Sequence, residues 1–214
     1  MKKLLFLAAL SVLATGPVMA DMVQNGSFEN GTTIPPVGFL GLAPGSTAIT
    51  GWTVIGSGVR VVDYIGNYWQ ASDGVRSVDL DGYLSGNGGI EQVLSTVAGN
   101  TYWVSFDMAG NPESGPTTKT MDVLAYDTNP LTPLASQSYS FSTVGHSKTA
   151  MGWTPMEFVF VADASSTTLR FVSTTSGQGY GPVVDDVSVV PAPAALLLGL
   201  LGLGSAGLKL RRRA

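Results

Sequence analysis

Between Tyr68 and Arg76 the chain reads YWQASDGVR, a segment that holds two flat rings (Tyr68, Trp69), an amide (Gln70), a carboxylate (Asp73) and a guanidinium (Arg76). A pyranose ring has an apolar face that stacks on an aromatic plane, and its hydroxyls bond to groups of these kinds, so the segment carries the chemistry of saccharide recognition. Trp103 is a further stacking candidate, because the alternation of TYWVSFDMAG sets it on the face opposite Tyr102 and Phe106. Trp52, after a turn glycine, reads as a plug between sheets. Covalent chemistry has less to draw on. The chain has no cysteine, and its single histidine, His146, stands in the polar stretch STVGHSKTA and reads as a loop residue. There is no Gly-x-Ser-x-Gly elbow. Eleven Asp and four Glu show no spacing that marks a hydrolytic pair, whose separation the fold sets. Asp79-Leu80-Asp81-Gly82 lacks the spacing of an EF-hand loop and reads as a strand end with a turn. These residues predict binding without catalysis.

The elements that must position them are strands. Tyr102, Val104, Phe106 and Met108 fall on one face of a strand, and short apolar-alternating segments recur at Trp52–Ile55, Val59–Tyr64, Ser77–Leu80, Gly89–Leu94, Met121–Tyr126, Tyr139–Ser142, Met156–Val161, Leu169–Ser173 and Val183–Val190. Turn residues separate them, as in Ser85–Gly89 and Gly110–Pro116, and no stretch of the body sustains a 3.6-residue period. The pattern predicts an all-β fold, a single antiparallel β-sandwich of the jelly-roll kind, over residues 21–190.

Residues 1–20 have the layout of a secretory signal peptide: Lys2 and Lys3, an apolar run expected to be helical, a Gly16-Pro17 break and a small-residue site with cleavage between Ala20 and Asp21. All fifteen acids lie in the body with only Arg60, Arg76, Lys119, Lys148 and Arg170, which leaves it at −10. Such a surface repels phosphate backbones, so no nucleic-acid partner is expected, while neutral polymers and divalent cations remain compatible with it.

Three segments carry a resemblance. VQNGSFENG (Val23–Gly31), ITGWTV (Ile49–Val54) and GPVVDDVSVV (Gly181–Val190) resemble the galactose-binding-like jelly rolls of many carbohydrate-binding modules. With YWQASDGVRSVDLDG, GGIEQVLST and YWVSFDMAGNP in the same order, the chain is similar to the bacterial choice-of-anchor C family, related to a plant cell-wall domain family. The resemblance implies an exported, non-catalytic surface or matrix protein that binds extracellular or cell-wall polysaccharide. It also implies a structural calcium tying the first strand to the last, with Glu29 and either Asp185 or Asp186 as ligands; alternation does not choose between the two aspartates.

Residues 191–214 begin at the Val190-Pro191-Ala192-Pro193-Ala194 motif, continue as an apolar run to Leu208 and end in Lys209, Arg211, Arg212 and Arg213. This resembles the Val-Pro-x-Pro-Ala sorting signals of Gram-negative bacteria, which implies processing by an exosortase-type enzyme. As a helix, Ala194–Leu208 would span about 22 Å, short for a hydrocarbon core of about 30 Å. The expectation is therefore transient insertion in the inner membrane before release to the cell surface or matrix, with a permanent anchor as the alternative, and with the prolines breaking the last strand to expose the motif.

Overall fold

The computed structural model describes residues 20–83, 87–176 and 179–192. The signal segment up to residue 19 and the tail from Pro193, with both expected helices, lie outside them. Among the described residues the elements are eleven strands: β1 (Phe39–Leu42), β2 (Thr53–Ile55), β3 (Val62–Ile65), β4 (Ser77–Asp79), β5 (Gly89–Ser95), β6 (Thr101–Gly110), β7 (Thr118–Tyr126), β8 (Ala135–Ser142), β9 (Thr154–Val161), β10 (Ser166–Ser173) and β11 (Pro182–Pro191). They form two antiparallel sheets, a six-stranded one ordered β1-β3-β4-β11-β6-β9 and a five-stranded one ordered β2-β5-β10-β7-β8. The expected β-sandwich is what the chain forms.

Each long strand alternates as its sequence does. On β6, Tyr102, Val104, Phe106 and Met108 are buried against the facing sheet, while Thr101, Trp103, Ser105 and Asp107 stay partly exposed on the other side. Edge-to-face and tilted rings bridge the layers: Phe106 lies 5.1 Å from Phe171 and 5.2 Å from Tyr139, and Trp52 lies 6.1 Å from Phe171 and 5.5 Å from Phe28. Trp52 is the expected plug, 1% exposed, with its Nε1 donating to the Asn25 carbonyl.

Three departures from the expected strands have local causes. β1 comes from the Gly-rich connection FLGL, where Gly41 leaves room for a crossing side chain: a Cβ there would meet Arg60 Nε at 2.0 Å. The Val59–Tyr64 segment begins later, at Val62, because Gly56 and Gly58 take positive φ and leave Val59 76% exposed. β11 runs through Pro191, which pairs with Tyr102, instead of breaking before it. A strand end tolerates the missing N–H.

One irregularity organises the rest. Between Asp185 and Ser188, β11 advances three residues while β6 advances two, Asp107 to Ser105, and Asp186 supplies the extra residue at φ 48°. This bulge turns Asp185 to the outer face of the six-stranded sheet while Val187 and Val189 point to the core. The early turn seats on it: Gly26 accepts from Val187 N, and a Cβ on Gly26 would fall 1.8 Å from the Val187 oxygen.

The bulge predicts an asymmetric tolerance at Asp186. Asp186→Gly should hold or slightly raise the melting temperature, whereas Asp186→Val, which forces a β-branched residue to positive φ, should cost about 1–2 kcal/mol in denaturant unfolding.

Candidate functional site

The outer face of the six-stranded sheet is partly covered. Residues 66–76, joining β3 to β4, lie across it, which is why β3, β4 and the first half of β11 are buried on both faces. This loop has no strand partners for its amides: those of Gly66, Tyr68 and Gln70 donate to the carbonyls of Gly38, Gly66 and Lys148, and two carboxylates take four of the others. Asp185 Oδ2 accepts from Ser72 N at 2.8 Å and Asp73 N at 3.0 Å, while Glu29 Oε1 accepts from Val75 N and Arg76 N, both at 2.7 Å. Trp69 is 6% exposed and its Nε1 donates to Ser77 Oγ at 2.9 Å, so the loop is nailed to β4 as well.

The loop, the open edge of the sheet and the turns after β4, β6 and β10 enclose a cleft of about 380 Å³. Its walls are aromatic: Phe39 on β1, Tyr68 and Trp69 on the loop, and Tyr83 and Tyr180 on the turns. Phe39 and Tyr68 meet edge to face at 5.1 Å, and Tyr83 is 58% exposed. Arg60 passes over Gly41, stands 5.0 Å from the centroid of Phe39 and 6.0 Å from that of Tyr83, and grips Asp63 through two bonds of 2.6 and 2.9 Å. At the rim, Lys148 pairs with Glu113 at 2.7 Å and sits 3.6 Å over Tyr68, whose hydroxyl donates to the same carboxylate.

Below the cleft lies a buried polar floor. Asp79 Oδ1 accepts from Asp81 N and Gly181 N, and its Oδ2 accepts from Asn111 Nδ2. Lys119 is fully buried and donates to the carbonyls of Ser114 and Tyr180 at 2.8 and 2.7 Å, so it fixes the turns that form the far wall. Desolvation raises Asp79 well above the ordinary carboxylate value. It raises Asp81, whose Oδ2 is buried without a hydrogen-bond partner, to about 6. Burial likewise lowers Lys119. Around Asp185, desolvation outweighs the three backbone N–H donors that favour its charged form and pushes it up to about 7.

The sequence candidates divide accordingly. Tyr68 and Trp69 line the cleft, Trp69 as a buried wall. Gln70 turns the other way: its side-chain Oε1 accepts from Met151 N at 3.3 Å, while its backbone carbonyl accepts from Trp153 Nε1 and its backbone N–H donates to Lys148 O. Asp73 is exposed above Asp185, and Arg76 stacks at 5.1 Å from the centre of the Tyr64 ring and bonds to its hydroxyl, beside a different groove. Trp103 is not in the cleft either. It lies seven residues before the end of β6, about 23 Å along the strand from the cleft turns. Sequence reading missed Phe39, Arg60, Asp63, Asp79, Tyr83, Asn111, Glu113 and Tyr180; an aromatic directly after DLDG, together with an Asn-Pro-Glu turn, was the available signal.

Two of the expected calcium ligands, Glu29 and Asp185, both bond to residues 72–76 of the loop. Glu29 and Asp185 meet backbone N–H groups of the same loop rather than its carbonyls, whereas calcium requires six to eight oxygens. Asp186 projects into solvent, raised by burial and by its neighbours Asp107, Asp73 and Asp21. Among the described residues no three His, Cys, Asp or Glu are grouped to hold a metal. Hydrogen bonds from the loop to both carboxylates join the early turn to the last strand.

Comparison with known proteins places this architecture. The sequence profile of the family described as "Protein of unknown function (DUF642)" matches residues 21–190, and the chain belongs to that family. Halomucin of Haloquadratum walsbyi is 35% identical over 175 residues; the matched stretch is 79% of this chain but 2% of that protein. Two solved structures share the fold. The carbohydrate-binding module TmCBM61, in complex with β-1,4-galactotriose, is 16% identical with a TM-score of 0.52, covering 81% of this chain and 99% of the module. An arabinose-bound α-L-arabinofuranosidase is 18% identical with a TM-score of 0.54, covering 81% of this chain and 26% of the enzyme.

The buried carboxylates set a pH dependence. The native state takes up protons as pH falls through about 7 at Asp185 and about 6 at Asp81, while unfolded aspartates wait until about 4. Their contribution to stability is therefore present in mild acid and lost as pH rises through these values. The melting temperature should rise between about pH 8 and pH 5, and Asp81→Asn should flatten that slope.

Proposed function

We propose that this DUF642 protein is an exported, non-catalytic surface or matrix protein of the choice-of-anchor C kind, whose cleft binds a polysaccharide chain. The observation that carries the reading is the cleft itself: aromatic walls at Phe39, Tyr68, Tyr83 and Tyr180, with Arg60, Asp63, Asn111 and Glu113 between and below them. Rings of this kind present the stacking planes a sugar needs, and the polar groups are held in place to meet its hydroxyls. The fold shared with TmCBM61 supports it. Binding is favoured over hydrolysis because each carboxylate of the cleft is already committed: Asp63 to Arg60, Glu113 to Lys148 and Tyr68, and Asp79 to its three donors.

In this proposal the signal segment exports the chain, and the tail inserts in the inner membrane and serves as an exosortase-type sorting signal. Because Val190 and Pro191 are held in β11, the processing enzyme would act at or beyond Ala192.

Two outcomes test the reading. The chain from Asp21 should co-sediment with some members of a panel of insoluble and gel-forming polysaccharides. Tyr83→Ala should then weaken retention about tenfold, the loss of roughly 1.4 kcal/mol of ring stacking, with the melting temperature nearly unchanged. No retention by any polymer would leave a structural or adhesive protein instead. Deleting residues 193–214 should leave the sandwich folded and stop delivery to the surface; unaltered surface accumulation would contradict the sorting role.

A further inference from the structure

The outer face of the six-stranded sheet changes character along its length. Beyond the Val183–Ala109 pair at the cleft end, the first row to span β11, β6 and β9 is Asp185, Asp107 and Pro155, and the next is Ser188, Ser105 and Glu157. The row after that is Val190, Trp103 and Val159; in the last, Thr101 pairs with Val161, and Ala192 N donates to the Thr101 carbonyl. Val159 and Val161 are 44% and 53% exposed, and Val97, in the turn that leads into β6, is 60% exposed. The polar face thus becomes apolar over its final two rows, at the end where the described chain leaves the sheet.

The segment beyond Ala192 gives this patch its partner. Residues 193–214 contain the apolar run Ala194–Leu208, which starts only two residues after the last strand hydrogen bond. Two extended residues reach at most about 7 Å. If that run enters a bilayer, the final rows of the sheet cannot stand far from the lipid.

We infer that this end of the sandwich is a lipid-seating surface, with Trp103 between Val190 and Val159 at the headgroup boundary. The inference rests on the reading of the tail as membrane-inserted. An indole with an apolar body and one N–H suits that boundary. None of the body's five basic residues lies in these rows, so the contact is apolar, needs no anionic lipid and is insensitive to salt. β6 and β11 run antiparallel, ten residues each, from the cleft turns to this surface. Seating with Trp103 at the boundary therefore holds the cleft turns about 23 Å from the headgroups, at the opposite end of the sheet.

The test uses the chain from Asp21 to Ala214 with phosphatidylcholine vesicles carrying brominated acyl chains. The protein should float with the vesicles and its tryptophan emission should be quenched by the bromines, equally at low and high salt. Trp103→Phe should float as well but lose that quenching, since Trp52 and Trp69 are buried in the body and Trp153 precedes β9 at the cleft end. Val159→Glu with Val161→Glu should reduce the quenching of Trp103 without unfolding the protein, both sites being exposed. Flotation with quenching unchanged in Trp103→Phe overturns the seating surface alone. Failure to float overturns the tail reading and the seating together, and polysaccharide retention by the same protein is independent of both results.

Discussion

The structure depends on how one irregular loop satisfies its backbone. Residues 66–76 cross the face of a sheet that would otherwise be solvated, and a covered segment without ladder partners must find acceptors for its N–H groups or forfeit much of the stability its burial brings. Backbone carbonyls serve its first half, and Asp185 and Glu29, one from the last strand and one from the first turn, accept from four N–H groups of its second half. The bulge at Asp186 makes this possible, because without the extra residue the register would aim Asp185 at the apolar core. Chain ends far apart in sequence are joined through the loop that both hold.

The cleft is a consequence. Once pinned, the loop fixes Tyr68 and Trp69 as one wall, and Arg60, given room by Gly41, closes the other against Phe39 and Tyr83. The floor is harder to stabilise, since it places Asp79, Asp81 and Lys119 out of water. The protein meets that cost by shifting the carboxylates toward their neutral forms and by giving the lysine two carbonyls at the turns it positions. A wall pinned on a polar floor holds the aromatic faces in place, an arrangement that would lower the ordering cost of the proposed binding.

Much of the sandwich was legible because its long strands have one wet face: β6, β7 and β9 alternate in sequence as they do in burial. Short strands are read less well: β3 is shorter than the expected Val59–Tyr64 at its start, and β1, a four-residue strand interrupted by glycine, is not among the expected strands. The aspartate of the last strand could not be chosen by parity, since a bulge cancels parity. Tyr68 and Trp69 were found because aromatic and polar groups crowd one segment, but the rest of the cleft is assembled from five separate stretches that only the sheet order brings together. Lys119 falls on the core face by alternation, and nothing in its neighbours announces the two carbonyls that accept from it.

The sandwich also has a direction. Its aromatic cleft and its apolar, tail-bearing rows occupy opposite ends of the same pair of strands, so the proposed recognition and the proposed attachment are separated by most of the length of β6. The central claim is that the cleft is where a glycan sits, and amide chemical-shift mapping of residues 21–190 during titration with soluble oligosaccharides tests it most directly. The account predicts saturable shifts confined to Phe39–Leu42, Arg60–Trp69, Asp79–Tyr83, Asn111–Glu113 and the turn from Gly179 to Pro182. Saturable shifts centred on other surfaces, or none with any sugar, would contradict it.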